Sequence, residues 1–217
     1  RARTHNPAGR ELLPMFDDLL RRLKDRWFAP FARALGRGVT PMMVTLAALV
    51  AGVATAWAIV QGANALALGL WITNRALDGL DGTLARVQET QSDFGGYADI
   101  VLDFVVYAIV PMAMVAAAAE LRTAMAGAFL LATFFVNAAS WMYLAAILER
   151  RDAGASKTGE LTTVTMPPGI VAGTETLVLY AAFIAWPDWR DEGFVVMGGL
   201  VLLNVVQRLW WGRRHLR

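Results

Sequence analysis

Cysteine is absent from this 217-residue chain, which excludes disulfides and thiolate metal sites. Histidine is nearly absent: His5 and His215 lie at the two ends, where no role in chemistry is expected. Charge is sparse, at 18% of residues against 57% hydrophobic. A soluble domain of this size is nearer half apolar, with shorter apolar runs. No internal repeat or low-complexity segment occurs, no second globular domain is indicated, and no nucleic-acid partner is expected.

What the chain does have is apolar length. A transmembrane helix needs about 20 predominantly apolar residues. The run Pro41 to Val60 meets this without a charge, as does Thr123 to Leu148. Gly193 to Gln207, extended by Trp210 and Trp211, is a third. Ala65 to Ala85, Gly95 to Ala119 and Pro168 to Trp186 are similar runs interrupted by charge. Residues 11 to 35 repeat Leu12, Phe16, Leu19, Leu20, Leu23, Trp27 and Phe31 mostly at three- and four-residue steps, with charges on the other faces. That pattern fits a helix lying in the cytoplasmic membrane interface; the plainer alternative is a soluble helix packed on a cytoplasmic partner.

The expected fold is therefore all-α and integral to the membrane: six transmembrane helices preceded by an N-terminal amphipathic juxtamembrane helix. Residues 1–40 form the tail and interfacial helix, and residues 41–217 the six-helix domain. Cytoplasmic loops are enriched in Lys and Arg. Nine such residues precede Pro41, and Arg86, Arg150, Arg151, Lys157, Arg213, Arg214 and Arg217 fall on the same side. The opposite loops hold only Arg122 and Arg190, among Glu120, Asp188, Asp191 and Glu192. Both termini should face the cytoplasm.

Against this background the stretch "LDGLDGTLARVQETQSDFGGYADIVLDF", residues 77–104, is unusual for its carboxylates. Asp78 and Asp81 are three apart and share a helical face; Asp99 and Asp103, four apart, share a face of the next helix. Antiparallel neighbours joined by a short loop can bring these pairs to one point near their cytoplasmic ends. Converging carboxylates in low dielectric repel or take up protons unless cations are present. Oxygen-preferring divalent cations, Mg²⁺ or Mn²⁺, are the natural counter-charge. Beside Arg86, such a cluster suits a pyrophosphate, and Gly79, Gly82, Ala85, Gly95 and Gly96 leave room for a ligand. The plainer reading is that the aspartates pair with Arg75 and Arg86 while the glycines let helices pack. Two arginines, however, cannot neutralise four acids.

The pattern Asp78-x2-Asp81-Gly82-x2-Ala85-Arg86-x8-Gly95-x3-Asp99-x3-Asp103, eight specified residues across 26 positions, resembles the signature of the CDP-alcohol phosphotransferases. The likeness extends over the chain, because that family has six transmembrane helices after a juxtamembrane amphipathic helix. "TPMMVT" at 40–45 is similar to the family's turn into its first span, with Met42 where asparagine is common. The resemblance implies a two-metal site of Mg²⁺ or Mn²⁺ on Asp78, Asp81, Asp99 and Asp103, with Asp103 also the general base. It further implies nucleotide contacts from Asp81, Gly82, Ala85, Arg86, Gly95 and Thr45. The implied reaction is phospholipid synthesis: transfer of a phosphatidyl group from CDP-diacylglycerol to a small polar alcohol or alcohol phosphate, with CMP released. The implied protein is a homodimer among the lipids of a bacterial inner membrane, its active site on the cytoplasmic side. A smaller branch of the family transfers from CDP-choline or CDP-ethanolamine to diacylglycerol.

For the acceptor pocket the candidates are Glu175, Lys157, Arg150 and Arg208. Glu175 is the only charge in its span, where a glutamate usually faces the bundle interior. The basic residues serve equally as topology signals. A Mg²⁺-dependent intramembrane prenyltransferase is the nearest competing class, but carries its aspartates on well-separated helices of a longer chain. A cation transporter would not need Gly82, Ala85 and Arg86 at these offsets.

Overall fold

The computed structural model describes residues 27–151 and 173–216. All regular structure among them is helical: α1 (27–35), α2 (Pro41–Val60), α3 (Asn64–Gln88), α4 (Asp93–Ala118), α5 (Leu121–Arg150), α6 (Gly173–Ala185) and α7 (Arg190–His215). Most of the expected amphipathic helix, and Lys157, lie outside the described residues. Among the described residues, four helical stretches are long and apolar enough to cross a membrane: Pro41–Val60, Asp93–Ala118, Leu121–Arg150 and Pro187–His215. Helix α3 has the length, at 25 residues, but carries the charges of the aspartate motif.

The local starts and stops follow the sequence. Thr40 caps α2, its hydroxyl accepting from the Met43 N–H at 3.3 Å, and Pro41 stands at the first helical position, where its missing N–H costs nothing. Gly62, at φ +70°, reverses the chain into α3. At the other end of α3, Glu89 adopts a left-handed conformation, and the Thr90 N–H closes on the Ala85 carbonyl at 2.9 Å. Ser92 then caps α4, accepting from the Gly95 N–H at 3.1 Å. A sharp stop followed at once by a strong start reverses the chain between α3 and α4, with the aspartate motif on either side of the turn, although the two helices touch each other little directly.

Helix α2 packs on both. Its buried residues Val44, Ala48, Ala51, Thr55 and Ala58 recur at three- and four-residue steps. At the crossing, a Cβ on Gly52 would stand 2.6 Å from Val106 Cγ2 and 3.2 Å from Asn74 Nδ2, so only glycine admits this approach. Gly52→Ala is expected to destabilise by about 1–3 kcal/mol, as overpacking against a stiff β-branched neighbour does. Thermal unfolding in detergent would show it, and an unchanged midpoint would contradict the packing.

Helices α5 and α7 run side by side in the same direction. Arg122 at the start of α5 meets Asp191 at 3.4 Å, and also Glu192, at the start of α7. At the far ends Arg151 donates to the Leu216 carbonyl at 2.9 Å. Buried Arg190 donates to the carbonyls of Phe183 and Met114, joining α7 to the ends of α6 and α4. One continuous core of Trp71, Val106, Val110, Met114, Tyr180, Phe183, Phe194 and Met197 connects α3, α4, α6 and α7.

Candidate active site

The site is built from one face each of α2, α3 and α4. Asp78, Asp99 and Asp103 line a small common cavity together with Thr45, Ala48, Leu49, Asn74, Leu102 and Val106. The α4 residues Asp99, Asp103 and Val106 follow at helical steps, so one face supplies them all. Asp81 is buried just behind this cavity, at 4% exposure. Its Oδ2 accepts from the Thr45 hydroxyl at 2.7 Å, and its Oδ1 from the Gly82 N–H at 2.5 Å. Thr45 thus touches the cavity on one side and Asp81 on the other. Thr45→Ala removes a hydrogen bond to a charged group, worth about 1.5–3 kcal/mol, and is expected to lower turnover about tenfold or more. Initial-rate assays would read this, and an unaltered rate would show that Asp81 needs no such anchor.

Side-chain exposures of 25% for Asp78 and 26% for Asp103 leave oxygens facing the cavity. Among the described residues no three acidic or histidine groups are drawn together at the spacing of a closed metal site. The donor set is nonetheless all carboxylate oxygen, on two rigid neighbouring helices around one cavity, which fits hard, oxygen-preferring divalent cations. The positive charge the chain itself supplies there is Arg75. Its Nη2 lies 2.8 Å from Asp103 Oδ1, and its Nη1 is 3.7 Å from Asp78. The plainer reading of the motif therefore holds in part: Arg75 does pair with two of the aspartates.

For the glycines that reading fails at two positions. A Cβ on Gly82 would meet nothing but the Arg86 guanidinium, 3.4 Å away, and one on Gly95 only Ser92 Oγ. No other helix among the described residues approaches either glycine, so packing does not explain them. Open space lies beside Arg86, in the last turn of α3, where Nη2 donates to Thr83 Oγ1 at 3.2 Å. Ala85 is half-buried on the same helix end.

Of the acceptor candidates within the described residues, Glu175, Arg150 and Arg208, none lines the cavity. Glu175 is exposed in the first turn of α6 and does not face the bundle interior as expected. Arg150 is likewise exposed, in the last turn of α5. Arg208 is buried between α5 and α7, with Nη1 donating to Asn137 Oδ1 at 2.5 Å. Its Nε has no partner among the described residues. Two residues that the sequence reading passed over do belong to the site, Asn74 and Tyr107. Each stands four residues beyond a motif aspartate, Asn74 before Asp78 and Tyr107 after Asp103, so extending the i+4 rows would have found them.

An all-helical protein with membrane-length helices and a cavity lined by carboxylates and a threonine narrows the class to few alternatives. The sequence profile of the CDP-alcohol phosphatidyltransferase family matches residues 38–210, and the chain belongs to that family of phosphotransferase enzymes. It is 34% identical over 180 residues to the inner membrane protein YnjF of Escherichia coli (strain K12), covering 83% of this chain and 86% of that one. The fold is similar to that of Mycobacterium tuberculosis phosphatidylinositol phosphate synthase (PgsA1) with CDP-DAG bound. That likeness has a TM-score of 0.66 at 23% identity, over 85% of this chain and 92% of the other. The same synthase in complex with manganese and citrate superposes with a TM-score of 0.65 at 23% identity, over 84% and 87% of the two chains.

Proposed function

We propose that this enzyme attaches a phosphatidyl group from CDP-diacylglycerol to a small polar alcohol, releasing CMP on the cytoplasmic side of the membrane. The observation that carries the proposal is the cavity lined by Asp78, Asp99 and Asp103, with Thr45-bound Asp81 behind it and unfilled space between Gly82 and Arg86. Six spans, counting α3 and the apolar run 168–186, and a homodimer belong to the same reading.

Asp78, Asp81, Asp99 and Asp103 would hold divalent cations, Mg²⁺ or Mn²⁺, which supply charge stabilisation to a departing phosphate. The remaining steps fall to the chain itself. Arg86 and the open surface of Gly82, Ala85 and Gly95 receive the cytidine nucleotide. The acceptor hydroxyl gives its proton to Asp103, and its oxygen bonds to the phosphorus on the lipid side of the donor. The bond from that phosphorus to the bridging oxygen breaks, and CMP carries the electron pair away. Arg208, whose buried Nε lacks a partner among the described residues, is the acceptor-pocket candidate with most support; Glu175, Arg150 and Lys157 have less.

The test is release of CMP by purified protein given CDP-diacylglycerol, Mn²⁺ or Mg²⁺, and each of a panel of alcohols and alcohol phosphates singly. Release with one acceptor is expected. If there is none, but CDP-choline or CDP-ethanolamine reacts with diacylglycerol, the direction proposed is wrong.

A further inference from the structure

Arg75 is held far more firmly than charge balance alone requires. Its Nε donates to Asn74 Oδ1 at 2.6 Å, Nη1 to Tyr107 Oη at 2.9 Å, and Nη2 to Asp103 Oδ1 at 2.8 Å. Its guanidinium carbon lies 5.1 Å from the Trp71 ring centroid and 5.0 Å from that of Tyr107, within cation–π range. Each member of this cage is itself anchored. Asn74 donates to the Ala48 carbonyl of α2 at 2.7 Å, and Trp71 to the Leu177 carbonyl of α6 at 3.0 Å. Tyr180 of α6 donates to the Tyr107 carbonyl at 2.9 Å. Four helices thus fix one guanidinium against Asp103, with Asp78 3.7 Å from its Nη1. An ion pair that only offset charge would need none of this bracing, and lysine would serve.

We propose that Arg75 is a positioning residue and a tethered counter-cation. It aims the Asp103 carboxylate, and it competes with divalent cations for Asp103 and Asp78, so that it sets how tightly the site takes its metal. This rests on reading the aspartates as the metal site. The two parts separate by substitution. Arg75→Gln removes both charge and fork. Arg75→Lys keeps the charge, but a point ammonium cannot span Asn74, Tyr107 and Asp103 together.

The experiment is titration of purified, metal-free protein in detergent with Mn²⁺, followed by electron paramagnetic resonance, alongside steady-state kinetics. For Arg75→Gln, Mn²⁺ is expected to bind about tenfold more tightly, because a fixed cation within 4 Å has gone. At saturating Mn²⁺ its kcat should fall about thirtyfold with KM for the CDP donor little changed, as expected for a misaimed group. Tighter metal with slower turnover is a combination that general loosening of the fold does not produce. Arg75→Lys should keep wild-type Mn²⁺ affinity while turning over as slowly as the glutamine variant. Wild-type kcat in Arg75→Lys would overturn the positioning role, and unchanged Mn²⁺ affinity in Arg75→Gln would overturn the competition. Should Arg75→Gln not fold, Tyr107→Phe leaves cation and ring in place; lower kcat at unchanged Mn²⁺ affinity supports the aiming role, and unchanged kcat overturns it. Failure of the wild-type protein to bind Mn²⁺ would instead remove the metal reading itself.

Discussion

Asp103→Asn is expected to abolish CMP release, lowering kcat by about a thousandfold or more, within the range that loss of a general base produces. Binding of the CDP donor should change little. The asparagine has the same shape and still offers a carbonyl oxygen to Arg75 Nη2, now 2.8 Å from Asp103 Oδ1, so the cage is not forced apart. What it loses is the capacity to take the acceptor's proton. Asp103 is suited to that task because its side chain borders the cavity while its other neighbours, Arg75 and through it Tyr107, hold it from behind. Equilibrium binding of a radiolabelled CDP donor beside a CMP-release assay separates the two effects. A variant retaining near-normal turnover would show that another group receives the proton, and Asp78 or Asp99 would be the next to substitute.

The spacing of the aspartates indicated which would share a face, and Asp78, Asp99 and Asp103 do line one cavity, while Asp81 is turned to Thr45. Three- and four-residue steps determine which residues share a helical face, and α2, packed on both α3 and α4, brings those faces to one cavity. Thr45, chosen by likeness to a family pattern, proved to be hydrogen-bonded to Asp81 across two helices. Hydropathy was less informative about Glu175, because an apolar run reports how deep a segment sits and not which way one residue points. The span count suffered from the same bluntness: the charges that make α3 a site also remove it from a tally of purely apolar helices. The cage around Arg75 was the least legible feature. Its members come from α3 and α4, with bracing from α2 and α6, and no local spacing relates Trp71 to Leu177 or Tyr107 to Tyr180. Arg75 itself was visible only as a possible ion-pair partner, and its geometry had to come from the packing.

Gly82→Leu should separate fold from function in the opposite way. Leucine favours an α-helix interior over glycine by about 0.5–1 kcal/mol, and a Cβ at this position meets only the far end of the flexible Arg86 side chain at 3.4 Å. The thermal midpoint of the variant is therefore expected to hold steady or rise. Catalysis is expected to fall about a hundredfold in kcat/KM, because a branched side chain fills the space beside Arg86 and displaces whatever docks there. Most of that loss should appear as weaker binding of the CDP donor, in contrast to Asp103→Asn. The half-buried setting of Gly82, against the full burial of Leu84 and Asp81, is what allows the helix to stay folded while its surface changes. Gly82→Ala should lie between, since one methyl at ordinary contact distance from Nη1 narrows the approach without closing it. A leucine variant that binds the CDP donor as well as the wild type would mean that the nucleotide lies elsewhere. The open ground between Gly82 and Arg86 would then need another occupant, most simply the acceptor alcohol, and a competition assay with that alcohol would decide it.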